Sequence, residues 1–329
     1  MSVPLAVSVG VAGASPSDDI ELVRRAEACG YGAAWAAEVD GPEAFSMLGA
    51  LSVATDLDLG VAVVPVQTRT AFVLANAALT MSGLTNGRFA LGVGASSEVV
   101  VNRFGGQPFD RPLAHTREMV QALRPVLAGE RTTFHGDHVD IGGYKYPKPV
   151  PTPVPLYVGS LNPKSLRMAG ELADGVCFNQ MAPHHVPKML AEVRAGAEAA
   201  GRDLPDDFPV VARLFCLVTD DVTGAREMVR HVFAPYVATS VYNRFYRWMG
   251  YEEEAQAIAD AAAANDKAAM AAAFSERVLD DLFILGSAEV VADRIREYVD
   301  AGVTVPALAP MALGIDMAID TIEKVAAAW

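Results

Sequence analysis

Amphipathic helical stretches alternate with short runs of β-branched residues along the whole chain, and a glycine repeatedly stands between the two. The first helix is predicted over about Pro16 to Ala28, behind Ser15 as N-cap and with Pro16 in its first turn; Gly30 stops it. Gly30 precedes a strand at Ala33–Glu38, and the same joint recurs at Gly87 before Arg88–Val93, at Gly175 before Val176–Asn179 and at Gly302 before Val303–Leu308. With Leu5–Val9, Leu57–Val64, Pro155–Val158 and Val210–Val218 this makes eight strands. Further helices fall near Glu43–Ala54, Thr70–Leu84, Ala114–Leu127, Lys164–Leu172, His185–Ala200, Ala288–Asp300 and Met317–Ala328. The pattern predicts an α/β protein, a (β/α)8 TIM barrel with insertions. A doubly wound open sheet would carry G-x-G-x-x-G after its first strand, and Gly10-Val11-Ala12-Gly13 does not supply it.

One domain is expected over residues 1–329, interrupted at about 129–152 and 238–282. The first interruption is rich in Gly, Pro, Tyr and His. The second carries Tyr242-Asn243-Arg244-Phe245-Tyr246-Arg247-Trp248 before an alanine-rich helix. Loops of this length in a barrel serve as lids or substrate walls.

A 52% hydrophobic composition supports a large core, and a net charge of -14 without a Lys/Arg cluster excludes a nucleic-acid binder. Cys29, Cys177 and Cys216 are odd in number and sit in apolar settings, which predicts reduced core thiols and a cytoplasmic protein. The apolar opening Met1–Val9 lacks a basic leader and reads as the first strand, and no run is long and apolar enough to span a membrane. The expected partners are a small-molecule substrate and a second copy of the chain.

Barrel chemistry sits at the C-terminal ends of the strands. The second strand ends in Ala37-Glu38-Val39-Asp40, the fourth in Gly92-Val93-Gly94-Ala95-Ser96-Ser97-Glu98, and the sixth in Phe178-Asn179-Gln180. The fifth runs through Gly159-Ser160-Leu161-Asn162-Pro163-Lys164 into a helix, where free N–H groups, the helix dipole, Lys164 and Arg167 suit a phosphate. An ordinary capped βα loop has the same residues. Gly92 and Gly94 would let a planar ring approach the backbone, although G-x-G is also common in tight turns. Glu38 and Asp40 are candidate acids or bases, or plain helix caps. His135 and His138 have no third ligand at a zinc-like spacing and are expected to be surface histidines, with no metal site.

Gly30–Glu38, Leu59–Pro65, Leu84–Gly94, Val154–Lys164, Ala169–Gly175 and Leu285–Glu289 together resemble the luciferase-like monooxygenase superfamily, in its F-420-dependent oxidoreductase branch. The resemblance covers nearly the whole chain. It implies hydride transfer with the deazaflavin coenzyme F-420, its ring in the barrel mouth and its phosphate at Gly159–Lys164. It also implies a non-proline cis peptide at Ala62-Val63 behind the ring. Cofactor-binding residues would be Ala62, Val63, Gly94, Ser96, Gly159, Ser160, Leu161, Asn162 and Lys164; catalytic ones, Glu38 and Ser97. Family dehydrogenases acting on sugar phosphates show Ser-Asp-His where this chain has Ala37-Glu38-Val39, and Ser97 stands at their acidic position beside Glu98, which disfavours that substrate class. FMN-dependent monooxygenation and a catalytically silent cofactor-binding barrel stay open as alternatives.

Overall fold

The computed structural model describes residues 3–39, 41–150 and 152–329; Met1 and Ser2 of the opening segment and the candidate Asp40 lie outside them. Eight parallel strands, Ala6–Ser8, Ala33–Ala36, Asp58–Pro65, Phe89–Gly94, Leu156–Gly159, Gly175–Asn179, Val210–Val218 and Val305–Pro310, each pair with the next. The eighth pairs with the first, so the sheet closes into a (β/α)8 barrel. A short further strand, Ile284–Gly286, lies beside Cys216–Val218 at the end of the seventh.

Side chains alternate across each strand, so every barrel strand has an outward and an inward set. Outward residues such as Leu5, Val7, Leu59 and Leu91 are buried under the helices. The inward set is separate: Ala6, Trp35, Ala90, Tyr157, Cys177, Val211 and Ala307 pack together inside the barrel. There Trp35 stacks on Tyr157 with ring centroids 5.9 Å apart and 20° between planes, forming the floor of the barrel interior.

Local signals explain the outer layer. Ser15 and Asp18 cap helix Pro16–Ala28 reciprocally, and the helix buries Leu22, Val23 and Ala26 against the barrel. Gly30, Gly87 and Gly302 have φ of 87°, 88° and 114°, the left-handed stop expected of them. Gly175 departs from that expectation, since it opens a strand and its missing Cβ makes room for the Tyr157 ring, which would be 2.7 Å away. Helices Ala44–Ala54 and Ala71–Leu84 contain no charged residue, and leave Val53, Phe72 and Val73 exposed on the outside.

The first insertion, read as a loop from its glycines and prolines, contains an antiparallel hairpin of Thr132–His135 and Asp140–Tyr144. In the second, helices Ser240–Met249, Glu252–Ala263, Lys267–Ala272 and Glu276–Leu282 lie between the seventh barrel strand's helix and Ile284. Tyr246 donates to Gln180 Oε1 at 2.9 Å and ties these helices to the end of the sixth strand. Cys177 and Cys216 are buried free thiols; Cys29 corrects the expectation of three core thiols, because it is exposed at the end of the first helix. Among the described residues no helix is long and apolar enough to cross a membrane.

Candidate active site

A cavity of about 460 Å³ opens at the C-terminal ends of the barrel strands. Of the residues expected to be functional, Glu38, Ala62, Val63, Gly94, Ser96, Ser97, Gly159, Ser160, Leu161 and Asn162 all line it; Lys164 does not.

The third strand supplies the most unusual backbone. The Ala62–Val63 peptide is cis, and the pairing with the fourth strand shifts register between Val61 and Val64. The resulting bulge pushes Val63 toward its neighbours, and those neighbours are glycines. A Cβ on Gly92 would lie 2.1 Å from the Val61 carbonyl oxygen, one on Gly94 2.8 Å from Val63 Cγ2, and one on Gly159 2.9 Å from Val63 Cγ1. Room read in the sequence as access for a ring at Gly92 and Gly94 is therefore filled first by the bulge itself. Beyond Gly94 the chain passes Ser96 in the left-handed region (φ 58°), and Ser97 Oγ accepts the Val100 N–H at 3.4 Å. That bond opens the π-helical turn Val99–Phe104, which lays Val99, Val100 and Phe104 along the cavity.

The turn after the fifth strand is more heavily bonded internally than its sequence suggests. Asn162 caps helix Pro163–Leu172 by accepting the Ser165 N–H at 3.1 Å, and Ser165 Oγ accepts the Asn162 N–H at 3.3 Å. The Ser160 N–H is spent on the Cys177 carbonyl and its hydroxyl on the Ser165 carbonyl. The Leu161 and Lys164 N–H groups stay without a partner among the described residues, so the anion-binding reading narrows to those two donors. The Lys164 side chain is exposed at the first turn of the helix, outside the cavity.

Glu38 is held, not poised. Arg69 grips it bidentately, Nη1 to Oε1 and Nη2 to Oε2 at 2.7 Å, and also reaches Glu43. Burial works against the Arg69 charge, but the two carboxylates keep its pKa above the ordinary guanidinium value. Both Glu38 oxygens thus face guanidinium N–H groups of Arg69.

Of the opposite wall, the sequence marked Asn179 at the end of the sixth strand and the Tyr242 run of the second insertion, but not Arg213 or Tyr236. Asn179 and Arg213, from the sixth and seventh strands, line the cavity with Tyr236 and Tyr242 from the helices above. Asn179 Nδ2 donates to Tyr242 Oη at 2.9 Å, and the Arg213 guanidinium lies 5.0 Å over the Phe215 ring. Burial pushes the Tyr242 phenol up, while the Asn179 N–H and the Arg213 charge pull it down. A side cavity of about 80 Å³ adjoins behind Arg213 and Tyr236. A signal was present for Arg213, a lone charge within the apolar run Val210-Val211-Ala212-Arg213-Leu214-Phe215. The aromatic run of the second insertion divides: Tyr242 and Arg244 face the cavity, whereas Phe245 and Tyr246 are core. His135 is exposed and pairs with Asp140 at 2.9 Å, while His138 stacks on His115 with centroids 5.1 Å apart.

The sequence profile of the luciferase-like monooxygenase family matches residues 3–305. A 5,10-methylenetetrahydromethanopterin reductase of Methanolobus tindarius is 31% identical over 318 residues, 94% of this chain and 96% of the relative. A Mycobacterium tuberculosis protein assigned as a coenzyme F-420-dependent oxidoreductase is 30% identical over 322 residues, 91% of this chain and 93% of its own. Among solved structures, the coenzyme F-420-dependent tetrahydromethanopterin reductase from Methanopyrus kandleri superposes with a TM-score of 0.81 at 23% identity, covering 99% of this chain and 98% of that one. The barrel, its cavity and this match over most of its length make the chain a member of the luciferase-like monooxygenase family.

Proposed function

We propose that this chain is an oxidoreductase that transfers a hydride between coenzyme F-420 and a small organic substrate. The observation that carries the reading is the convergence on one cavity of the Ala62–Val63 bulge, Gly94 and the Gly159–Asn162 turn. About 460 Å³ suits a planar ring with a small substrate beside it, within the range of ligand pockets. The names of the curated relatives support the deazaflavin over FMN.

The fit is testable on the residues present. Ala62, Val63, Gly94 and Ser96 would flank the ring, and Ser160, Leu161 and Asn162 would meet the phosphate-bearing tail at the open Leu161 N–H. Lys164 would reach that phosphate only from outside the cavity. The bound cofactor supplies the hydride; the protein orients it, excludes water and manages the proton. Glu38 with Arg69 would orient groups at the mouth, and the Ser97 hydroxyl, whose oxygen takes the Val100 N–H, keeps its hydrogen for a ligand. Residues 1–329 would work as one domain in the cytoplasm. The charge-free outer faces of helices Ala44–Ala54 and Ala71–Leu84 would pack against a second copy to give a homodimer.

The deciding experiment is titration of the purified protein with F-420 and FMN side by side, followed by absorbance. F-420 is expected to bind at least tenfold tighter. Preference for FMN would overturn the deazaflavin reading in favour of the flavin monooxygenases of the family. Tight F-420 binding with no spectral change under any hydride donor or acceptor would point to a silent barrel.

A further inference from the structure

The chain between the fourth strand and helix Pro112–Leu127 runs along the cavity through the π-helical turn Val99–Phe104. Val100 and Val101 are buried and anchor it. Past them the character changes, because residues 102–108 are all exposed. Gly105 N–H donates to the Val100 carbonyl, Gly106 N–H to Asn102, Gln107 N–H to Val101, and Asn102 Nδ2 to the Gln107 carbonyl at 3.2 Å. Those bonds stay inside the segment. Among the described residues no hydrogen bond or ion pair joins residues 102–108 to another strand, helix or loop. The far end turns at Arg111, left-handed at φ 41° and paired with Asp137 at 2.9 Å. Such a segment, anchored at both ends and bonded only to itself between them, moves at little cost. Phe104 lies in it. This side chain lines the cavity and is nevertheless 61% exposed. Phe109 and Leu113 continue the same apolar bank.

We propose that residues 102–108 form a lid over the substrate, that Phe104 is the side chain that closes it, and that Phe104 selects which substrates the site retains. This rests on the hydride-transfer reading above, which puts the cofactor ring deeper, against the Ala62–Val63 bulge, and the substrate between it and the mouth. A ligand closes a lid only so far as it binds the closed form better than the open one. A substrate with an apolar outer part supplies that difference, since it and the Phe104 ring shed water together on contact. A polar outer part would give up its own water under the ring without a hydrogen bond in return. The buried pair Val100 and Val101 and the Arg111–Asp137 ion pair stay in place as the two hinges. Closure shields the reacting atoms from bulk water. Phe104 is therefore a specificity-determining residue, and its effect falls on the substrate and not on the cofactor.

Trypsin reads the lid directly, because the bond after Arg103 lies in the exposed stretch. The full-length protein, saturated with oxidised F-420, is titrated by calorimetry with phenol and with 4-phenylphenol, which differ by one apolar ring. Cleavage after Arg103 is timed by mass spectrometry with each. The wild-type protein is expected to bind 4-phenylphenol about tenfold more tightly than phenol. It should be cut after Arg103 about fivefold more slowly with 4-phenylphenol than with F-420 alone, as expected where cleavage follows the open population. Phe104→Ala should lose most of that ratio and of the protection while binding F-420 within twofold of wild type, which also shows that it is folded. An unchanged ratio in Phe104→Ala, cleavage that 4-phenylphenol does not slow, or full protection by F-420 alone would each overturn the proposal. Failure of F-420 to bind the wild type would instead overturn the cofactor reading, and the two phenols titrated into the protein alone would then decide the lid.

Discussion

Val63 sits among three glycines on two neighbouring strands, and each glycine is explained by what a methyl group would strike. Gly92 is the tightest, because a Cβ there would meet a backbone carbonyl that cannot swing aside. Gly92→Ala should therefore cost about 2–3 kcal/mol of stability, at the upper end for overpacking, read as a lower urea midpoint with an unchanged slope. Gly94→Ala meets only a side-chain methyl and should cost less. Lys164 makes the opposite case. Its side chain is exposed and its contact with a phosphate would be solvent-screened, so Lys164→Ala should weaken F-420 binding by about 1 kcal/mol, read by titration. Unchanged affinity removes it from the site. The sequence marked the glycines and the turn, and Glu38, Ser97, Asn179 and Tyr242 one by one; that these line one cavity together, with Arg213 beside them, follows only from the closed barrel and a distant insertion, which no local pattern encodes.

Among the elements, the turn between the sixth strand and helix Val186–Ala199 carries a pH sensitivity. His185 is buried, and its Nδ1 accepts the Ala182 N–H at 3.1 Å. Burial, with the neighbouring His184, pushes its pKa down to about 4. In the unfolded chain it titrates near the usual 6.5, so above that value neither state is charged and the full stability is present. As pH falls from 6.5 toward 4 the unfolded chain binds the proton first, and stability is lost by at most about 3 kcal/mol, with no further loss from this group below that. His185→Asn, whose amide oxygen can accept the same N–H without titrating, should flatten the difference between urea midpoints at pH 7 and pH 5. A difference unchanged from wild type would clear His185 of it. The barrel strands and their helices were readable because each is apolar on both faces or strictly amphipathic. The hairpin at Thr132–His135 was not, because each arm is short and only Thr132 and Ile141 are fully buried.

At the scale of the molecule, two adjacent outer helices break the rule that a surface helix shows a polar face to water. Val53 is 83% and Val73 46% exposed on those helices. If a second copy covers them, Val53→Glu with Val73→Glu should halve the mass measured by light scattering while leaving far-UV circular dichroism and F-420 affinity unchanged. A wild-type protein that already runs as a monomer would rule the interface out.

The stacked Trp35 and Tyr157 close the barrel beneath the cavity, and the Ala62–Val63 bulge forms a wall above them. A ligand lying against that wall is reached from the mouth, through the space a second ligand would occupy. Arrival and departure then form a queue: the cofactor enters first and leaves last. Initial-rate patterns should be those of compulsory order, with an unreactive substrate analogue uncompetitive against F-420, and a high substrate concentration should slow turnover by holding the spent cofactor behind it.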